Sequence, residues 1–157
     1  MAQSIALFFH EATWPDLRKV LNSVAKGFPD DNWHYPIDEN YVSVYSYDNL
    51  LDEFEDEDLD DLLRYFADLP SAILAIEYHS SQGMKTCEAA AQLTELLFRQ
   101  FSGVADDLYD QFWTDHEILD GVRKSTGTFV ESVRYPKSVE EWEARWKEIR
   151  AERRRHK

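Results

Sequence analysis

The chain has 157 residues, with 17 Lys+Arg against 31 Asp+Glu for a net charge of -14, and it is 43% hydrophobic and 14% aromatic. One acidic globular domain follows from these values, and so much aromatic surface excludes a disordered chain. No apolar run approaches the ~20 residues that cross a bilayer, residues 1–10 lack a basic segment and a cleavage site, and the single Cys87 leaves no internal disulfide, so a cytoplasmic protein is expected.

Residues 4–10 (Ser-Ile-Ala-Leu-Phe-Phe-His) are apolar on both faces, which predicts a central strand covered on both sides. Thr13, with Asp16 three positions on and Pro15 in the first turn, opens a helix. Its Leu17, Val20, Leu21 and Val24 share a face, and Gly27 and Pro29 stop it. Residues 28–39 read as an irregular aromatic loop. Residues 41–47 read as a strand with Val42 and Val44 on one side and Tyr41, Ser43, Tyr45 and Tyr47 on the other. Leu50, Leu51 and Phe54, then Leu59, Leu62, Leu63 and Phe66, make two helical stripes broken at 55–58.

Residues 71–79 form a second strongly apolar, central strand just after Pro70. The following helix buries Ala90, Leu93, Leu97, Phe98 and Phe101 and is ended by Gly103. A strand at 104–113, a short helix at 117–122 and a strand at 128–135 complete the body. Ser138-Val-Glu-Glu141 is a capping-box pattern that starts a last helix, with Val139, Trp142, Trp146 and Ile149 on one face and an end that frays beyond Arg150. Strands alternating with helices give an α/β class. The expected architecture is a single-domain layered sandwich, a four- to five-stranded mixed sheet covered by helices, with residues 1–136 as an acidic body and 137–157 as a basic-tipped C-terminal helix.

Charge is unevenly distributed. Residues 137–157 hold eight Lys+Arg and five Asp+Glu, which leaves nine basic against 26 acidic residues in the body. Nine carboxylates lie between Asp48 and Asp61, with no cation before Arg64. Such a run repels phosphate backbones and anionic lipid, so nucleic acid and membrane are excluded as main partners and a cationic partner is attracted. The same run also suits a solvated helix face. Just upstream, Trp33, His34, Tyr35, Tyr41, Tyr45 and Tyr47 offer either a cover for the core or the kind of aromatic surface that anchors interfaces.

Motifs for chemistry are weak. Read from Asp56, the acidic run puts Asp61 where a calcium loop needs glycine and Ala67 where it needs the closing glutamate. None of His10, His34, His79, His116 and His156 stands at zinc-ligand spacing, and no metal or cofactor is expected. The segment 79–86 lacks the upstream glycine of a phosphate loop, and Met84 separates Gly83 from Lys85. Cys87 among alanines reads as a small buried hydrophobe. His10 and His79 both end predicted central strands, where α/β proteins place ligands, so a shared pocket there is the enzyme-like alternative.

In length, acidity, α/β layering and the pairing of aromatics with dense carboxylates, the chain resembles the immunity proteins of bacterial polymorphic and contact-dependent toxin systems. That resemblance implies a non-enzymatic protein, without catalytic residues, that binds a cognate toxin, often a basic nuclease, and occludes its active site. Asp52, Glu53, Glu55, Asp56, Glu57 and Asp58 then replace substrate phosphates, while Trp33, Tyr35, Tyr45 and Tyr47 anchor the contact. Carboxylates steer the encounter and buried aromatics slow dissociation, so the division of labour is physically coherent. The alternative is a small enzyme or ligand-binding domain using His10, His79 and residues 80–86. A third reading has the Trp142/Trp146 helix drive self-association.

Overall fold

A computed structural model describes residues 2–79, 84–107, 109, 111–134 and 139–155. Strand β1 (Ala2–Phe9) leads through α1 (Trp14–Val24) into a meander of β2 (Lys26–Phe28), β3 (Asn32–Ile37) and β4 (Asn40–Ser46). A 3-10 turn (Leu50–Glu53) and α2 (Asp56–Leu63) carry the chain to β5 (Ala72–His79), and α3 (Met84–Phe98) carries it to β6 (Gly103–Asp106) and β7 (Phe112–Thr114). Three helices follow: α4 (Asp115–Leu119), α5 (Phe129–Ser132) and α6 (Val139–Arg155). The sheet order is β2-β3-β4-β5-β1-β6-β7, and every described pairing is antiparallel. The α/β layering therefore holds, but the sheet has seven strands rather than four or five and is not mixed.

The extra strands come from turns the sequence reading missed. Residues 28–39 are a β-meander, because Asp30, Asp31 and Asp38 adopt left-handed backbone (φ 65°, 55° and 50°) and reverse the chain tightly. Aspartate is among the few residues that tolerate this conformation. Residues 104–113 split into β6 and β7 around a turn held by Asp107. The strand expected at 128–135 is instead the single turn α5, where the Thr128 hydroxyl accepts the Glu131 N–H and the Glu131 carboxylate accepts the Thr128 N–H. That reciprocal cap outweighs the β-branched composition. The cap expected at Ser138 lies outside the described residues, and α6 keeps helical form to Arg155.

Period-2 alternation divides the side chains between two faces. On one face Ile5, Leu7, Phe9, Val42, Val44, Leu74, Ile76 and Tyr78 pack under α1 and α3 through Leu17, Leu21, Cys87, Ala90, Leu93 and Leu97. On the other, Phe8, Ile73 and Val104 are covered by Leu62 of α2 and by Leu50, Leu51, Phe54 and Phe66 around it. Gly103 opens β6, five residues past the end of α3, and its hydrogen atom faces the Phe8 carbonyl, where a Cβ would sit 2.4 Å from the oxygen. Asp48, the first carboxylate of the acidic run, is a structural staple: its Oδ2 accepts the Trp14 indole N–H at 2.8 Å and its Oδ1 the Ile73 backbone N–H at 2.9 Å.

The C-terminal helix is seated on the body by one aromatic post. Fully buried Tyr109 lies under Trp142 and Trp146, with ring centroids 5.0 and 5.9 Å away, and its hydroxyl accepts a hydrogen bond from Arg145 at 2.8 Å. Ile149 is buried and Ser125 donates to Glu152, so the tryptophans proposed for self-association are engaged within the chain. The turn that presents Tyr109 is built on Asp107. One of its oxygens accepts the backbone N–H groups of Tyr109 and Gln111, and the other accepts the Trp113 indole N–H at 2.8 Å and the Gln111 side chain at 3.4 Å. Burial pushes this carboxyl up to about 6, with the four donors pulling it back only in part.

Candidate functional site

Helix α2 covers only half of its face of the sheet. It spans the rows of Phe8, Ile73 and Val104. The cross-strand row Ser4–Glu77–Ser43–His34–Lys26 lies beyond it, together with Tyr41 and His79 one step further. Of these, Ser4, His79, Lys26 and Tyr41 are exposed and the rest half-buried. This open half is aromatic and polar. His34 lies flat on Tyr41, with centroids 3.7 Å apart and planes 7° from parallel, and Phe28 tilts against His34 at 4.4 Å.

The acidic run borders this surface. Asp52, Glu53, Glu55, Asp56, Glu57 and Asp58 are all exposed, on the 3-10 turn, at the N-cap of α2 and in its first turn. Three carboxylates in that first turn complement the helix dipole, whereas Asp60 and Asp61 near the other end oppose it. Arg64 relieves Asp61 at 3.4 Å. Five carboxylates on an eight-residue helix are thus only partly explained by helix stability.

Two of the four aromatic anchors named from sequence join this border. The Tyr47 hydroxyl donates to Glu53 at 2.7 Å, the Tyr45 hydroxyl donates to Glu77 at 3.3 Å, and the two rings lie 5.9 Å apart. Burial, and then the Glu77 charge, push Tyr45 up to about 12, and the bond to Glu53 raises Tyr47 as well, so both remain hydroxyl donors at neutral pH. Tyr45, Tyr47, Glu53 and Glu77 form one acidic-aromatic patch.

Trp33 and Tyr35 do not belong to it. They pair with Val44 and Val42, which face α1 and α3, so alternation sends both to the opposite side of the sheet. Trp33 is 3% exposed and donates its indole N–H to Asn22 at 2.8 Å, and half-buried Tyr35 packs against the same core. Neither is an anchor on this patch. Glu77 was missed by the sequence reading, although as the sole charge in the run 72–79 it breaks an otherwise apolar strand where alternation turns it outward.

The enzyme-like alternative loses its shared pocket. Because β1 and β5 are antiparallel, with Ala2 opposite His79 and Phe9 opposite Ala72, His10 and His79 sit at opposite ends of the sheet. Eight residues of strand put them roughly 26 Å apart. His10 instead packs on Phe66 at 4.4 Å and lines an open cleft of about 660 Å³ with Glu11, Asp16, Gln100 and Phe101. Residues 80–83 of the phosphate-loop look-alike lie outside the described residues. Within α3, Lys85 pairs with Asp38 at 3.0 Å, and Thr86 donates to the His79 carbonyl. Cys87 is buried.

Among the described residues, no group of three or more His, Cys, Asp or Glu is placed to hold a metal ion, and no helix is long and apolar enough to cross a membrane. No protein-family model, curated protein or solved structure matches this chain.

Proposed function

We propose that this chain is an inhibitor of the immunity-protein kind, which binds a basic, nuclease-like bacterial toxin domain and occludes its active site. The observation that carries the reading is the Tyr45–Tyr47–Glu53–Glu77 patch, in which Glu53 ties the exposed acidic segment to the tyrosines, beside an uncovered aromatic sheet face. Exposed carboxylates that stability only partly explains steer a cationic partner, and half-buried tyrosines with satisfied hydroxyls supply rigid contact area at low entropic cost. The partner-binding residues in this reading are Asp52, Glu53, Glu55, Asp56, Glu57 and Asp58 with Tyr45 and Tyr47, joined by Glu77.

The test is affinity capture from the source organism at low and moderate salt, using the native chain and a variant carrying Asp52→Lys, Glu53→Lys, Glu55→Lys and Asp56→Lys. The captured protein is then purified and its activity titrated with each. A single basic protein, inhibited stoichiometrically by the native chain and untouched by the variant, supports the reading. Equal inhibition by both chains, or the absence of any basic partner, refutes it.

A further inference from the structure

We infer that the open half of the sheet seats an arginine side chain of the partner, with Glu77 as its counter-charge and Tyr41 as its stacking platform; this rests on the toxin-inhibitor reading. Glu77 stands at the middle of that half. Its cross-strand neighbours are Ser43 on one side and Ser4 on the other, both too small to wall it off. The register places Tyr41 and Tyr45 on its two diagonals, within reach of long side chains.

The local charges leave Glu77 short of a cation. Among the described residues its Oε2 accepts the neutral Tyr45 hydroxyl, and its Oε1 lies 4.0 Å from His79 Nε2. Among the described residues no Lys or Arg pairs with it. Lys26, the cation at the end of the same cross-strand row, turns instead over the Phe28 ring at 5.2 Å. A carboxylate so placed, on a chain of charge -14, is complementary to a positive group.

Arginine fits better than lysine. Tyr41 is 46% exposed while its ring is held in place by the flat stack on His34, so it presents a fixed aromatic surface beside the carboxylate. A planar guanidinium stacks on such a ring and pairs with a carboxylate through two parallel hydrogen bonds, whereas an ammonium does neither as well.

The experiment is a two-dimensional NMR titration of the full chain with N-acetyl-arginine amide, with the lysine and citrulline amides as controls. Arginine is expected to give saturable shifts at Tyr41, Ser43, Tyr45, Glu77 and His79. Binding of the lysine amide is expected to be about threefold or more weaker, and the neutral citrulline amide to give no shift. Glu77→Gln, which keeps the side-chain shape, is expected to weaken arginine binding about tenfold, and Tyr41→Leu about threefold. Unchanged affinity in Glu77→Gln, or shifts confined to α2, overturns the inference. The two readings fail separately: an inert Glu77→Gln removes the arginine seat even where the four-lysine variant has lost inhibition, and an unaffected four-lysine variant removes the inhibitor reading even where arginine binds at Glu77.

Discussion

Replacing Asp107 by Asn tests whether a buried charge organises the turn that seats the C-terminal helix. An ordinary aspartate titrates near 3.8 and this one is held at about 6 by burial. Between those values the native carboxyl keeps a proton that the unfolded chain has lost, so stability falls as pH rises through the window and levels off above it. The full interval corresponds to roughly 3 kcal/mol, of which on the order of 1 kcal/mol falls between pH 5 and pH 7. Asp107→Asn removes that dependence but carries its own cost. Its oxygen can still accept the Tyr109 and Gln111 backbone N–H groups, while its amide then faces two donors, the Trp113 indole and the Gln111 side chain. Two buried donors left unmatched cost about 1–3 kcal/mol each. The variant is therefore expected to be less stable than the native chain at both pH values, with a gap on the order of 1 kcal/mol smaller at pH 7 than at pH 5. Urea unfolding of both proteins, followed by tryptophan fluorescence at the two pH values, measures this difference of differences and cancels the contributions of Asp31 and Glu131, whose lowered values act in the opposite direction. A stability gap that is flat or widens with pH refutes the reasoning.

Gly103→Ala brings a methyl against the Phe8 carbonyl in the central strand and is expected to cost about 2–3 kcal/mol in thermal or urea unfolding. Asp60→Asn relieves a charge at the wrong end of α2 and is expected to raise the melting temperature by roughly 1–3 °C at low ionic strength, with the gain shrinking as salt is added. Trp33→Ala empties a core position and is expected to cost about 3–5 kcal/mol in urea unfolding. Tyr47→Phe, by contrast, is expected to leave the unfolding midpoint nearly unchanged, since its hydroxyl bond to Glu53 is solvent-exposed.

The central strands were legible because burial on both faces leaves a long apolar run, as in residues 4–10 and 71–79, and α1 and α3 because their apolar positions keep helical period. The edges were not. Strand β2 is fully exposed and three residues long, so it carries no hydrophobic signal of its own, and its existence rests on aspartates in left-handed turns. Strand direction was equally hidden: a helix between two strands suggests a parallel crossover, but the segment between β4 and β5 returns the chain antiparallel through two short helical pieces. Residues 128–135 misled because a β-branched run has the composition of a strand, while the local cap formed by Thr128 and Glu131 decides the conformation.

The candidate site shows the same division between what adjacency reveals and what only register reveals. The carboxylate run was readable as a charged surface because a fold rarely buries nine acids within fourteen residues, and all six named carboxylates are indeed exposed. Tyr45 and Tyr47 lie beside it because they stand two positions apart at the end of β4, where the chain turns directly into the acidic segment. Trp33 and Tyr35 are near them in sequence, yet β3 pairs them with Val44 and Val42, which buries Trp33 in the core on the opposite face and packs half-buried Tyr35 against it. Glu77 makes the opposite case: thirty residues from Tyr47, it is joined to Tyr45 by a pairing that no local pattern encodes, and it converts two tyrosines beside an acidic helix into a patch with a defined charge at its centre. The proposed partner surface is therefore a product of strand register more than of composition, which is why substitutions at Glu77 and Tyr41 discriminate between specific recognition and mere negative charge.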